Sequence, residues 1–368
     1  MNFDLTDEQK LLGEITSEIF SRTYDIETRL AVTDTDLGWS RDVWAQLAET
    51  GILGLGLEPG EAGQIELMVV MTEIGRRLAP EPVAQAALIP GGLLAELDGD
   101  AQRSLLEGVG QGNTLLALAH QEPGTRGASV AVTTRAEGSA DSWTVTGVKN
   151  PVLSGDCADA FVVSAALPDG GTGLFLVDAA AVTRRAFRTF DGQRGAQVTF
   201  EAVAAQRLGA DADASQPLRN ALIRHQSALC AEAVGAMDEA LRLTTEYLTT
   251  RKQFGVPLSK FQALTQRAAD MYVSLELARS MSLYAAVSIA DGDFDPVIAA
   301  RAKLQVSRSG RHIAQEAIQL HGGIGVTSEY PVGHYAARLT AIDQTLGSAD
   351  DQLRALIGGI GSYSTVTL

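Results

Sequence analysis

The chain has 368 residues, 45% of them hydrophobic, which allows two or three domains or one large layered unit with a real core. Its formal net charge of −16 repels nucleic acid and anionic membranes and sets both aside as partners. Two cysteines make neither a disulfide framework nor a zinc pattern, no apolar run approaches the roughly 18 residues of a membrane span, and the polar start MNFDLTDEQK is not a signal peptide, so a cytoplasmic protein is expected.

Residues 1–112 read as helices. Thr6-Asp7-Glu8-Gln9 can cap a helix whose apolar face takes in Leu11, Leu12, Ile15 and Ile19. Trp44, Leu47, Ile52 and Leu53 follow with helical spacing, then a loop from Gly51 to Gly63. A helix from Leu67 to Leu78 is closed by Pro80 and Pro82. From 113 to 212 the period changes to two. SVAVTTRAE, WTVTGVK, AFVVSAAL, GTGLFLVD and AQVTFEAV are short and β-branched, with Gly, Asp and Pro between them, which predicts an antiparallel β-domain. From 213 to 361 the helical period returns, with Leu218, Leu222, Leu229, Ala233, Met237 and Leu241 along one face of a long helix. The Ser-Thr tail from Ser362 to Thr367 reads as loose.

Two stretches carry chemistry. TTRKQFGVPLSKFQ (249–262) places a cation, an aromatic face and an amide together at Arg251, Phe254 and Gln262. Arginine can fork onto a diphosphate, phenylalanine can cover a flat ring, and glutamine can bond a ring edge; simple helix capping explains the same residues. QLHGG (319–323) lets a backbone pass close to a ligand, but a helix C-cap explains a glycine pair as well, and His321 reads as packed or capped. No second histidine or carboxylate sits at metal spacing.

Together these stretches resemble the acyl-CoA dehydrogenases. The likeness spans nearly the whole length: FDLTDEQK, EIGRRLAPEP (73–82), the Glu-Pro-Gly turn at 122–124, GQRGAQVTFEAVAAQRLG (192–209), RKQFGVPLSKFQ (251–262) and QLHGGIGVTSEYPV (319–332). The resemblance implies an α+β multidomain fold: a helical N-terminal domain (1–112), a middle antiparallel β-barrel (113–212) and a C-terminal four-helix bundle (213–361). It implies FAD shared between two subunits, with the ADP half gripped by Arg251, Gln253, Phe254, Phe261, Gln262, Gln319, Gly322 and Gly323. It further implies an acyl-CoA thioester substrate and, as the usual electron acceptor, an electron-transferring flavoprotein.

The chain departs from the family where the reaction happens. Removal of a weakly acidic α-proton needs a positioned carboxylate in a dry pocket. The family glutamate stands just before Gly-Thr or Gly-Ser near the C-terminus; here that place is Leu346, before Gly347-Ser348. The alternative place, on the first long helix of the C-domain, is His225, and no Asp or Glu lies between Asp213 and Glu232. On the ring side Gln121 replaces a small hydroxyl residue, and Pro151-Val152-Leu153-Ser154 replaces the family's Trp-Ile-Thr run. No catalytic residue is therefore assigned. The expected reading is the subunit without a base in a heterotetramer whose partner carries the glutamate, as in actinobacterial steroid side-chain enzymes of this family. Two alternatives stand beside it: a self-sufficient homo-oligomer with His225 or Asp343 as a displaced base, and a flavin-free acyl-CoA-binding protein.

Overall fold

The computed structural model describes residues 4–57, 63–97, 100–125, 127–139, 142–209 and 213–359; the expected tail at 362–367 and Arg126 lie outside them. Helix α1 (Asp7–Thr23) opens on a capping box, in which the Thr6 hydroxyl accepts from the Gln9 N–H and the Gln9 side chain accepts from the Thr6 N–H. Its inner face is set by Thr16 and Phe20, with Leu12 and Ile19 packed against the core. Leu11, expected on that face, stands 55% exposed, one position round the helix from Leu12.

Helices α2 (Ile26–Thr33), α3 (Arg41–Glu49) and α4 (Gln64–Arg77) follow. Ile52 and Leu53 are buried as expected, but in a short 3-10 turn after Gly51 rather than in a continued helix. Next come a π-turn (Ala84–Leu88), α5 (Ile89–Glu96) and α6 (Asp100–Gly110), none of which periodicity had indicated. The π-turn, in which the Ile89 N–H reaches back five residues to Ala84 O, precedes Pro90, which has no N–H to continue an ordinary ladder.

The strands are β1 (Leu116–Ala119), β2 (Arg135–Ser139), β3 (Ser142–Leu153), β4 (Ala160–Ala166), β5 (Thr172–Asp178), β6 (Thr183–Arg188) and β7 (Arg194–Leu208). Hydrogen bonding runs β4-β2-β3-β7-β5 and back to β4, so five strands close into a barrel around Trp143, Val145, Phe161, Phe175 and Phe200. Most pairings are antiparallel; β1 and β2 each meet β4 in parallel. Ser129–Thr134, expected as the start of a strand, is not in the ladder. The Thr133 and Thr134 N–H groups donate to the Glu122 carboxylate instead, at 2.8 Å each.

The rest is helical: α7 (Ser215–Thr250), a small hairpin of β8 (Lys252–Gln253) and β9 (Val256–Pro257), then α8 (Gln262–Ala290), α9 (Pro296–His321), α10 (Val332–Gln344) and α11 (Ala349–Gly358). Helices α7, α8, α9 and α10 pack as a bundle. Helix α4 lies so close to α7 that a Cβ on Gly75 would fall 1.8 Å from Glu232 O, and one on Gly235 1.8 Å from Thr72 O. Glycine is required at both places by backbone proximity, and this seam joins the first helical region to the bundle. No helix among the described residues is long and apolar enough to cross a membrane.

Candidate functional site

All three regions meet around one cavity of about 230 Å³. Gln85, Ile89 and Pro90 reach it from the π-turn and α5. The barrel contributes Leu118, His120, Gln121, Pro151, Leu153 and Phe187, and the bundle adds Leu222, His225 and the segment Gln344–Leu346. Pro151 and Leu153 stand at the end of β3, where the resemblance places the flavin-ring face.

The segment carrying Leu346 is held from several sides. The buried Lys303 ammonium on α9 donates to Ile342 O at 2.7 Å and Asp343 O at 3.2 Å, neutralising the C-terminal carbonyls of α10. Leu346 O accepts from Gln226 at 3.3 Å and from Gln352 at 3.0 Å. Leu346 itself is buried with φ +56°, a left-handed conformation that costs a non-glycine residue on the order of 1 kcal/mol. The turn is thus built to aim one side chain at the cavity, and that side chain is a hydrocarbon.

Of the two candidate bases, Asp343 does not border the cavity. Its carboxylate accepts from the Ala349 N–H at 3.0 Å and from Gln344 and Arg311 at 2.9 and 3.3 Å, tying α10 to the start of α11. His225 does border it, and its Nε2 is buried without a hydrogen-bond partner. Burial, followed by the nearby charges of Arg338 and Lys303, pulls this imidazole down to about 4, so it is neutral at pH 7. Among the described lining residues there is no carboxylate, lysine or arginine.

Beneath the barrel wall lies a fully buried charge cluster that motif reading passed over as a turn. Lys149 donates to Glu122 at 2.9 Å, to His120 O at 3.0 Å and to Ser164 at 3.2 Å. Burial pushes the Glu122 carboxyl up, but hydrogen bonds from Thr133, Lys149 and Thr134 outweigh it and hold the group well below the usual carboxylate range. Burial lowers Lys149 to about 8, and burial with the Lys149 charge lowers His120 to about 4. His120 is pinned through Nε2 to Ser129 O at 2.6 Å and through Nδ1 to Ser164 at 2.8 Å. The sequence signal was the Glu122–Lys149 pair, which only the fold brings together.

A pH dependence follows from the two neutral histidines. Both folded values lie below the unfolded value of about 6.5, so their contribution is present above pH 6.5 and is lost as pH falls toward 4. The expected loss is on the order of 3 kcal/mol per histidine. Urea midpoints between pH 7.5 and 4.5 measure it, and His225→Leu should flatten the slope; an unchanged slope would reject this assignment.

The eight residues expected to grip a nucleotide gather at one end of the bundle. The β8–β9 hairpin turns through Phe254 (φ +54°) and Gly255 (φ +85°), the two positive angles of a two-residue hairpin turn. Phe254 is 92% exposed, 6.2 Å centroid to centroid from the half-buried Phe261. Arg251, Gln253, Gln262, Gln319, Gly322 and Gly323 are all exposed. The two motifs meet where His321 lies against Tyr247, ring centroids 4.5 Å apart, four residues before Arg251. His321 is packed as expected, bonded to Ala317 O and to the Tyr330 hydroxyl. Gly322 ends α9 with φ +67°, and a Cβ there or on Gly323 would meet open space, so the backbone is free to approach a ligand.

A helical region, a small barrel and a helical bundle thus meet around this cavity. The family model for the acyl-CoA dehydrogenase C-terminal domain matches residues 219–358. Acyl-CoA dehydrogenase FadE12 of Mycobacterium tuberculosis is 30% identical over 82% of each chain. Among solved structures, the Tcur3481–Tcur3483 steroid ACAD is 33% identical with a TM-score of 0.89, covering 97% of this chain and 98% of that one. The ChsE4–ChsE5 complex from Mycobacterium tuberculosis is 26% identical with a TM-score of 0.89, covering 99% and 100%. The chain belongs to the acyl-CoA dehydrogenase family, oxidoreductases acting on acyl-CoA.

Proposed function

We propose that this chain is the subunit without a base in a two-chain, FAD-dependent acyl-CoA dehydrogenase, completing the flavin site of a partner that carries the catalytic glutamate. The observation that carries this reading is the contrast between its two half-sites. Where the family's proton acceptor belongs, an over-determined turn presents Leu346 to a cavity without a carboxylate among its described lining. At about 230 Å³ that cavity is below the roughly 300–1,000 Å³ of ligand pockets. The nucleotide end, by contrast, keeps every expected group. A 92% exposed phenylalanine at a left-handed position is costly by itself, which supports a role in contact with something outside the chain. Two similar solved structures, Tcur3481–Tcur3483 and ChsE4–ChsE5, carry the names of two chains.

In this reading the Arg251 guanidinium would hold the FAD diphosphate, Phe254 would cover a flat ring, and the Gly322–Gly323 backbone and the Gln253, Gln262 and Gln319 amides would hold the ADP half. Phe261 supports Phe254 from the side. FAD held there would supply the hydride acceptor, and the α-proton would go to the partner's glutamate. His225 keeps a second reading alive, a self-sufficient enzyme with a displaced base, because its unpartnered neutral imidazole borders the cavity.

The test is flavin content and acyl-CoA bleaching, with the chain alone and co-expressed with a glutamate-bearing family member. The chain alone should be colourless and inert, and the pair yellow and active. Arg251→Ala in the pair should weaken flavin retention about 10- to 150-fold, the loss of one charge-assisted contact. A yellow single chain that bleaches with acyl-CoA would overturn the proposal in favour of His225.

A further inference from the structure

The nucleotide end is built from two grips on separate elements. Arg251 and Phe254 belong to the β8–β9 hairpin, whose strands have two residues each, while Gly322 and Gly323 follow the end of α9. A hairpin this short is not stable by itself, and exposed groups are placed only as well as the packed residues behind them. A ligand held by both grips needs a fixed spacing between them, since a site about 1 Å too loose fails.

One buried side chain spans the gap. His321, 4% exposed, is the last residue of α9 and directly precedes Gly322. Its ring packs against Tyr247 and against Tyr330, with centroids 4.5 and 4.9 Å away, and the two tyrosines stand 6.3 Å from each other. Tyr247 lies in the last turn of α7, and its carbonyl accepts from the Arg251 N–H at 2.8 Å. Arg251 O in turn accepts from the Leu258 N–H at 2.8 Å, which closes the base of the hairpin. On the other side the glycine loop folds back on the same residue: a Cβ on Gly325 would stand 3.1 Å from His321 Cβ.

Hydrogen bonds fix the tilt of the ring. Ala317 O can only accept, so Nδ1 carries the proton and donates to it at 2.7 Å; Nε2 is left to accept from the Tyr330 hydroxyl at 3.2 Å. Capping α9 would need only the first of these contacts. The ring contact with α7 and the bond to Tyr330 serve no cap, and both run between the two grips.

We propose that His321 is the positioning residue of the nucleotide end, its ring setting the spacing between Arg251 and the Gly322–Gly323 backbone so that a dinucleotide is held by both at once. The inference rests on the reading that this end grips FAD. His321 itself touches no ligand in this account; it acts through Tyr247 on one grip and through its own backbone on the other.

FAD titration of the deflavinated, co-expressed pair, followed by flavin fluorescence, tests it. His321→Leu should weaken FAD binding about 5- to 10-fold, the loss of aromatic contact between the grips. Tyr247→Leu, which removes the same contact from α7, should do the same, and it serves in place of His321→Leu if that variant is unfolded by circular dichroism. His321→Phe keeps a flat ring against Tyr247 and should recover most of the loss. Combined with Arg251→Ala, His321→Leu should cost less than the product of the two single losses, because a spacing matters only when both grips are present. A merely structural role would give the full product, and that result would overturn the proposal. A pair whose FAD affinity falls with Arg251→Ala but not with His321→Leu or Tyr247→Leu rejects this inference alone. A pair insensitive to Arg251→Ala rejects the flavin grip and this inference with it.

Discussion

Arg338→Met should lower the stability of the fold by about 3–5 kcal/mol, the loss expected when a buried ion pair is broken from one side. Arg338 on α10 is buried and forks onto Glu232 of α7, with Nε at 2.5 Å and Nη2 at 2.7 Å, while Nη1 donates to Asp191 at 2.7 Å. Burial works against the charge, but Glu232 and Asp191 more than offset it and keep the guanidinium ionised. Asp191 sits in the turn between β6 and β7, and its carbonyl accepts from Arg29 of α2 at 3.3 Å. One side chain therefore ties the barrel to two helices of the bundle, and Arg29 extends the tie to the first helical region. Methionine would strand two buried carboxylates at a cost that packing cannot repay. Urea unfolding followed by circular dichroism measures the change. Adding Glu232→Gln should recover part of the loss by removing one stranded charge. A loss below about 1 kcal/mol for Arg338→Met would show that the network is not what joins the three regions.

Leu346→Glu should restore no activity and should cost stability. The turn is preset by Lys303, Gln226 and Gln352, so the new carboxyl would occupy the place of a leucine that is 5% exposed. The variant forfeits at least the roughly 2 kcal/mol of a buried leucine and gains no cationic partner, because the cavity's described lining holds no lysine or arginine. Burial would raise the carboxyl above its ordinary value of about 4.3. A raised folded value makes the variant's stability fall as pH rises from that ordinary value through the raised one, a slope the wild-type chain lacks at this position. Gln121 and Leu153 would still crowd the ring face. Thermal midpoints at pH 5 and pH 8, with acyl-CoA-dependent flavin bleaching by the same variant, measure both parts. Bleaching by Leu346→Glu alone would show that the half-site is intact except for its base.

How far the residues could be read depended on the range of the interaction involved. Thr6 and Gln9 announced their helix start because both halves of the capping box lie within one turn. The π-turn and α5 escaped periodicity because AQAALIPGGLL is apolar on every side, and a helix buried all round has no stripe. SVAVTTRAE reads as one strand, but only Arg135–Glu137 join β2, because the Glu122 carboxylate takes the Thr133 and Thr134 N–H groups that a neighbouring strand would take. Asp343 and His225 were equal candidates along the chain. The structure separates them: one carboxylate spans a helix junction, and one imidazole borders the cavity.

Legible along the chain alone were the order of helical, β and helical regions, the family resemblance, the residue types expected to grip a nucleotide and the leucine where a glutamate is usual. Each of these is written in local spacing or in the chemistry of a single residue. It took the folded chain to show that the cavity is small, that Glu122 and Lys149 pair across 27 residues, and that Arg338 with Arg29 joins three regions. Volumes and buried charge networks arise from side chains far apart in the chain, and no local pattern encodes their distances.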